Sequence, residues 1–186
     1  MKKTVILAIT AIVLATGAFA QEKKIEFGVK AGFNVAREIA EEGSTEMRAG
    51  FYGGVFAEFF ISNRLGLQPG LVYSMQGGKS EGLTDEFDYV NLPVMLKIYV
   101  LKRDLSIDAG LQPGYMVSAK VSGNGGSADF YDIIDNKFDV AVKFGASYKF
   151  AKRFHAGIHY SFGTIKLVDG MDNRNAVIQI GAGVRF

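Results

Sequence analysis

The chain has 186 residues, 48% hydrophobic and 12% aromatic, with 23 Gly, no Cys and a formal charge of +2. The absence of Cys excludes a disulfide framework, and the near-balance of charge gives no basic surface for nucleic acid. The length favours one domain, and the Gly and aromatic content leans towards strands.

Residues 1–20 come first. Met1, Lys2 and Lys3 precede an apolar stretch at 5–15, and Ala18-x-Ala20 precedes Gln21. This pattern predicts a cleaved secretory signal peptide whose apolar core is too short to span a bilayer as a helix. The mature domain is then 21–186, with no Cys to carry a lipid anchor. Removing Lys2 and Lys3 brings the bases level with the 19 acids.

The remainder alternates apolar and polar residues in eight segments, near 25–34, 50–61, 65–76, 87–100, 105–118, 137–149, 154–164 and 174–186, with no convincing amphipathic helix. Their connections alternate in length. Tight turns are expected at 62–64, 101–104 and 150–153, and longer connections rich in Gly, Ser, Asp and Glu near 35–49, 77–86, 119–136 and 165–173. Short turns on one rim and long loops on the other predict an all-β fold, an eight-stranded antiparallel up-and-down transmembrane β-barrel. An even strand count places both termini on the periplasmic side. "GLQPG" occurs at 66–70 and again at 110–114, as duplication of a hairpin would produce, and Pro69, Pro93 and Pro113 predict local irregularity.

One face of these segments carries Phe27, Val29, Leu71, Val94, Val142, Phe144 and Ile158; the other is polar or tiny. Alternation alone fits a soluble barrel with an apolar interior equally well. The polar face decides, because it holds a dozen glycines, wasteful on a solvated surface but required inside a narrow bore. It also holds Glu26, Glu58, Asp108 and Asp139 with Lys30, Lys97, Lys143, Lys149 and Arg185, read as a lumen charge network in which opposite charges compensate. Aromatic residues gather near the segment ends, Phe27, Phe59, Tyr148, Phe154 and Phe186 at one rim and Phe33, Phe51, Tyr73, Tyr115, Phe138 and Phe162 at the other, as interfacial girdles do. Segment 50–61 places Tyr52, Phe56 and Phe60 on the inward parity, as a lumen plug or through a shifted register.

"FGVKAGFNV", "VNLPVMLKIYV", "DAGLQPGYMVSAK" and the closing "GAGVRF" resemble the small bacterial outer-membrane β-barrel proteins of the porin family, with an OmpA/OmpX-like strand count. The resemblance implies a place in the bacterial outer membrane, outer-membrane lipids including lipopolysaccharide as surroundings, and Phe186 as the assembly signal read by the barrel assembly machinery. It implies location and fold more than activity.

His159 and Ser161 resemble the His-x-Ser pair of outer-membrane lipid A deacylases, with Asp169 or Asp172 as the third member. Parity puts both inside, whereas a lipid-cleaving site should face lipid, so no catalytic residue is assigned. His155 and His159 lie about 13 Å apart along a strand, too far to share one metal ion; no metal or cofactor is expected. Glu38, Glu41, Glu42, Glu46, Glu81, Asp85, Glu86, Asp129, Asp132, Asp135, Asp169 and Asp172 make the long loops acidic. They could attract divalent cations bridging lipopolysaccharide phosphates or form a solvated rim, and no spacing matches a calcium loop. The favoured function is a structural or interaction role through the external loops, with a loop ligand as partner, no nucleic acid, and little or no pore activity, since open channels need about 16 strands. The rivals are a lipid-modifying enzyme and a secreted soluble barrel holding a small apolar ligand.

Overall fold

A computed structural model describes residues 25–40, 43–44, 46–80, 83–123, 126–129, 131–132, 134, 136–164 and 174–186. The expected signal peptide and the last long connection, with Asp169 and Asp172, lie outside the described residues, as do Glu41, Glu42, Glu81 and Asp135.

Every regular element described is a strand: β1 (Ile25–Ala40), β2 (Gly43–Ser44), β3 (Glu46–Phe60), β4 (Leu65–Gln76), β5 (Gly78–Ser80), β6 (Leu83–Asn91), β7 (Val94–Leu101), β8 (Leu105–Gly123), β9 (Gly126–Asp129), β10 (Phe138–Phe150), β11 (Phe154–Gly163) and β12 (Arg174–Arg185). All pairings are antiparallel. β12 returns to β1 over a register running from Gly28↔Arg185 to Ile39↔Arg174. That pairing, together with β10 against β8, closes the sheet into a barrel.

The twelve segments differ from the eight expected, for two physical reasons. First, pairing continues past the points where apolar alternation stops: β1 reaches Ala40, β3 starts at Glu46 and β8 reaches Gly123. Much of 35–49 and 119–136 is therefore hairpin rather than loop, because backbone pairing needs no apolar side chain. Second, the ladder breaks where its chemistry fails. Gly77, at φ +127°, separates β4 from β5, and Leu92 and Pro93 separate β6 from β7. Proline cannot donate, so neighbouring amides turn to proline carbonyls instead: Leu92 N–H donates to Pro113 (2.8 Å) and Gly70 N–H to Pro93 (2.9 Å). Both β6 and β7 lie between β4 and β8.

Register shifts fall between Asp88 and Tyr89 and between Tyr99 and Leu101. None falls in β3, whose register against β1 and β4 is unbroken, so Tyr52, Phe56 and Phe60 point inward on the regular parity. Their bulk is accommodated by glycines across the wall: a Cβ on Gly28 would strike the Phe56 ring, and one on Gly181 the Tyr52 hydroxyl.

The connections at 61–64, 102–104 and 151–153 are tight. Ile61 and Ser62 both donate to the Leu65 carbonyl, at 2.8 and 3.0 Å. Lys102, Arg103 and Ala151 adopt left-handed φ values of 35°, 64° and 50°, each costing about 1–2 kcal/mol for a residue with a Cβ. The rim carrying these turns is the turn end and the opposite rim the loop end.

Burial is inside out relative to a water-soluble domain. Phe27, Phe33, Phe51, Phe144, Ile158 and Ile180 are all more than half exposed, whereas Asn34, Glu58, Ser74 and Asp108 are 0% exposed. Large apolar side chains normally bury and charged ones do so only when paired. A wall that inverts this pattern faces hydrocarbon.

Candidate functional site

The lumen gathers the chain's buried polar residues in tiers, each supplied by inward positions of neighbouring strands. At the turn end, Glu58 on β3 meets Arg185 on β12 at 2.8 Å, and Arg185 also lies 3.2 Å from Glu26 on β1. Lys149 approaches Glu26 at 3.7 Å. Gln68 donates to Glu58 at 2.9 Å, and the Tyr99 hydroxyl donates to its other oxygen. Phe56 and Phe60 surround this tier, with the Arg185 guanidinium 5.7 Å from the Phe56 ring centre and Arg103 4.6 Å from that of Phe60.

The next tier centres on Asp108 of β8. Lys97 of β7 bonds it at 2.8 Å, Ser147 at 2.5 Å, Ser106 at 2.6 Å and His159 Nε2 at 2.9 Å. Four partners on four strands saturate this buried carboxylate, which offsets the cost of taking it out of water. Above it a cavity of about 20 Å³ is lined by residues including Lys30, Tyr52, Lys143, His155, His159 and Gln179.

Towards the loop end the chemistry becomes neutral. Lys143 donates to Gln112 (2.8 Å) and to Gln179. Gln179 donates to Asn34 (3.0 Å), Asn34 to Ser74 (2.8 Å), Gln76 to Ser74 (3.0 Å) and Asn175 to Gln76. Arg48 ends the chain of bonds, donating to the Gln76 carbonyl and pairing with Glu86 at 3.5 Å. Tyr89, Met116 and Ala119 form an apolar cluster against which Phe87, Tyr131 and Ile134 pack.

Of the residues singled out from sequence, the structure brings Glu26, Glu58 and Arg185 together at one level and Lys97 and Asp108 at another. Lys143 bonds to glutamine amides rather than to an acid. Lys30 lies over Phe56, 5.9 Å from the ring centre. Asp139 is buried against Gly163, nearer the loop end. His159 is bound to Asp108, while Ser161 donates to the Val177 carbonyl at 3.5 Å; the two are not hydrogen-bonded to each other as a nucleophile and its base would be. Phe186 is 73% exposed, its N–H donating to the Phe27 carbonyl at 2.8 Å. The aromatic rims form cross-strand pairs, Phe33 with Phe51 and Phe150 with Phe154, with ring centres 5.1 and 6.1 Å apart. Among the described residues, no group of three His, Asp or Glu could hold a metal.

The amides Asn34, Gln76, Gln112, Asn175 and Gln179 are the residues that charge-based reasoning misses. Their signal was present, since each occupies the same inward parity as the charges. Attention to ionisable groups alone hides it.

A family model described as outer membrane protein beta-barrel domain matches residues 19–169. Among solved structures, Neisserial surface protein A is similar with a TM-score of 0.65 and 17% identity, covering 86% of this chain and 97% of that one. Ail, the attachment invasion locus protein of Yersinia pestis, gives 0.58 and 20% identity, covering 87% and 98%. Its complex with the heparin analogue sucrose octasulfate gives 0.59 and 18%, covering 88% and 99%. No curated protein matches the chain. Identities this low speak for a shared fold.

Proposed function

Because the chain belongs to the outer membrane protein beta-barrel domain family, we propose that it is an integral outer-membrane barrel acting through its loop-end hairpins, with a lumen closed to bulk flow. The observation that carries this reading is the inside-out burial: an apolar wall around a polar interior whose donors and acceptors are largely bonded to one another.

In this reading the twelve segments merge into eight staves, β2 leading into β3, β5 continuing β4, β7 continuing β6, and β9 and β10 sharing one stave beside β8. An even count returns Phe186 to the rim where Ile25 begins. That rim is periplasmic, residues 1–20 direct export, and Phe186 serves the assembly machinery. An eight-stave bore is just wide enough for side chains to fill. Here Tyr52, Phe56 and Phe60 fill it, and the Glu58–Arg185 tier ties six strands across it. No catalysis is assigned to His159 and Ser161, since both are engaged elsewhere.

The loop end carries Glu46, Asp85, Asp129 and Asp132. Ail was solved with a sulfated ligand, but acids at this rim oppose a polyanion. They favour cationic ligands or lipopolysaccharide phosphates bridged by divalent cations. The turn end carries Arg64, Lys102, Arg103, Lys152 and Arg153 instead.

Subcellular fractionation with planar-bilayer recording tests this reading. The protein should reach the outer-membrane fraction, migrate faster in detergent gels before boiling than after, and give no steady large openings. Recovery from the soluble periplasm, or stable diffusion-porin currents, would overturn it.

A further inference from the structure

The cavity between the Asp108 tier and the amide tier is built rather than incidental. Gly181 and Gly157 line it, and neither could carry a side chain without filling it: a Cβ on Gly181 would strike the Tyr52 hydroxyl, and one on Gly157 would lie 3.0 Å from both His159 and Ser147. Two lysines, Lys30 and Lys143, line this space. Lys143, 3% exposed, spends two of its three hydrogens on Gln112 and Gln179, neutral acceptors that leave its charge uncancelled. Lys30 has neither a hydrogen bond nor an ion pair among the described residues, and a ring 5.9 Å away is a weak partner for a cation.

The acids of the same lumen are engaged. Asp108 holds Lys97, His159 and two serines; Glu58 holds Arg185, Gln68 and Tyr99; Glu26 holds Arg185 and Lys149. Asp139 sits four residues from Lys143 along β10, a rise of about 13 Å. With the Arg48–Glu86 pair of the loop end set aside, the lumen bases Lys30, Lys97, Lys143, Lys149 and Arg185 outnumber the acids Glu26, Glu58, Asp108 and Asp139 by one, and the surplus falls at the cavity.

We propose that the cavity is a binding site for one monovalent anion of chloride size, held between the ammonium groups of Lys30 and Lys143. Its size selects the ligand, because about 20 Å³ admits a single water-sized sphere or little more and excludes a phosphate or sulfate. Charge separates halide from water. A water molecule would satisfy N–H donors but leave two like charges facing each other in a medium of low dielectric constant, where their repulsion is strong. His155 also lines the cavity, and its Nδ1 has no hydrogen-bond partner among the described residues; the tautomer protonated there would supply one more donor. The proposal does not rest on the role given to the loops.

Bromide is the probe. The barrel is refolded from urea into detergent in sodium bromide, so that the ion enters before the wall closes, and crystals are measured at the bromine absorption edge. One anomalous peak in contact with both Lys30 Nζ and Lys143 Nζ is expected, and Lys30→Met should abolish it while keeping the heat-dependent gel shift. Density in the cavity without anomalous signal means water there and overturns the proposal. Peaks confined to surface lysines, an adventitious ion only, overturn it too, as does a cavity peak that persists in Lys30→Met. Should that variant fail to fold, the parent crystal alone decides.

Discussion

From the short turns up to Asp108 the lumen is held by ion pairs, whereas from Lys143 to the loop end it is held mostly by amides and hydroxyls. The same backbone surrounds both halves, so the difference isolates what charge contributes inside a narrow bore. At the turn end, removing a charged member leaves a buried ion short of an opposite charge; at the loop end most removals leave only a neutral group unbonded. Orphaned ions cost far more than orphaned dipoles. The turn half should therefore be brittle to single substitutions and the loop half tolerant.

The largest effect is expected for Glu58→Leu, which takes from the buried Arg185 its 2.8 Å partner and leaves it only Glu26, at 3.2 Å. Urea unfolding in detergent should show a loss of about 3–5 kcal/mol. A loss under about 1 kcal/mol would mean that water reaches Arg185 and that the two halves do not differ. Replacing both partners, Glu58→Leu with Arg185→Leu, sharpens the contrast. Neither member of the pair is then stranded, and Glu26 keeps Lys149 at 3.7 Å, so the double variant should recover most of the loss, and strict additivity of the single losses would contradict the ion-pair account. Intermediate in size is Gln179→Leu, which removes one acceptor from Lys143 and the donor to Asn34, for about 1–3 kcal/mol by the same titration. Ser74→Ala, which removes a hydroxyl bonded, among the described residues, only to the amides of Asn34 and Gln76, should cost about 1 kcal/mol. If Ser74→Ala proved as damaging as Glu58→Leu, the amide half would be as rigidly specified as the ionic half.

This division was partly readable in the sequence. The inward parity of Glu26, Glu58, Lys97, Asp108 and Arg185 follows from period-two alternation, and the tight turns follow from the short polar gaps between segments. Which charges meet does not follow, because partners such as Glu58 and Arg185 are brought together by closure between β12 and β1, and sequence spacing says nothing of that register. Lys143 shows the limit: it was expected to neutralise an acid, and Gln112 and Gln179 reach it instead. Tyr52, Phe56 and Phe60 left two readings open, since an aromatic on the inward parity is explicable only once the glycines opposite are known. The hairpins past Ala36 and Ser118 were hidden for another reason. They leave the apolar environment, so their side chains lose the alternation while their backbones keep pairing.

Beneath both halves lies one claim, that the apolar face of the wall meets lipid. The chain contains no Trp, so a single Trp at Phe144, 53% exposed on that wall, reports without background. In vesicles of lipids brominated along their acyl chains, Phe144→Trp fluorescence should be strongly quenched, while aqueous iodide should leave it nearly unchanged. Emission indifferent to the brominated chains but quenched by iodide would put Phe144 in water and contradict the account.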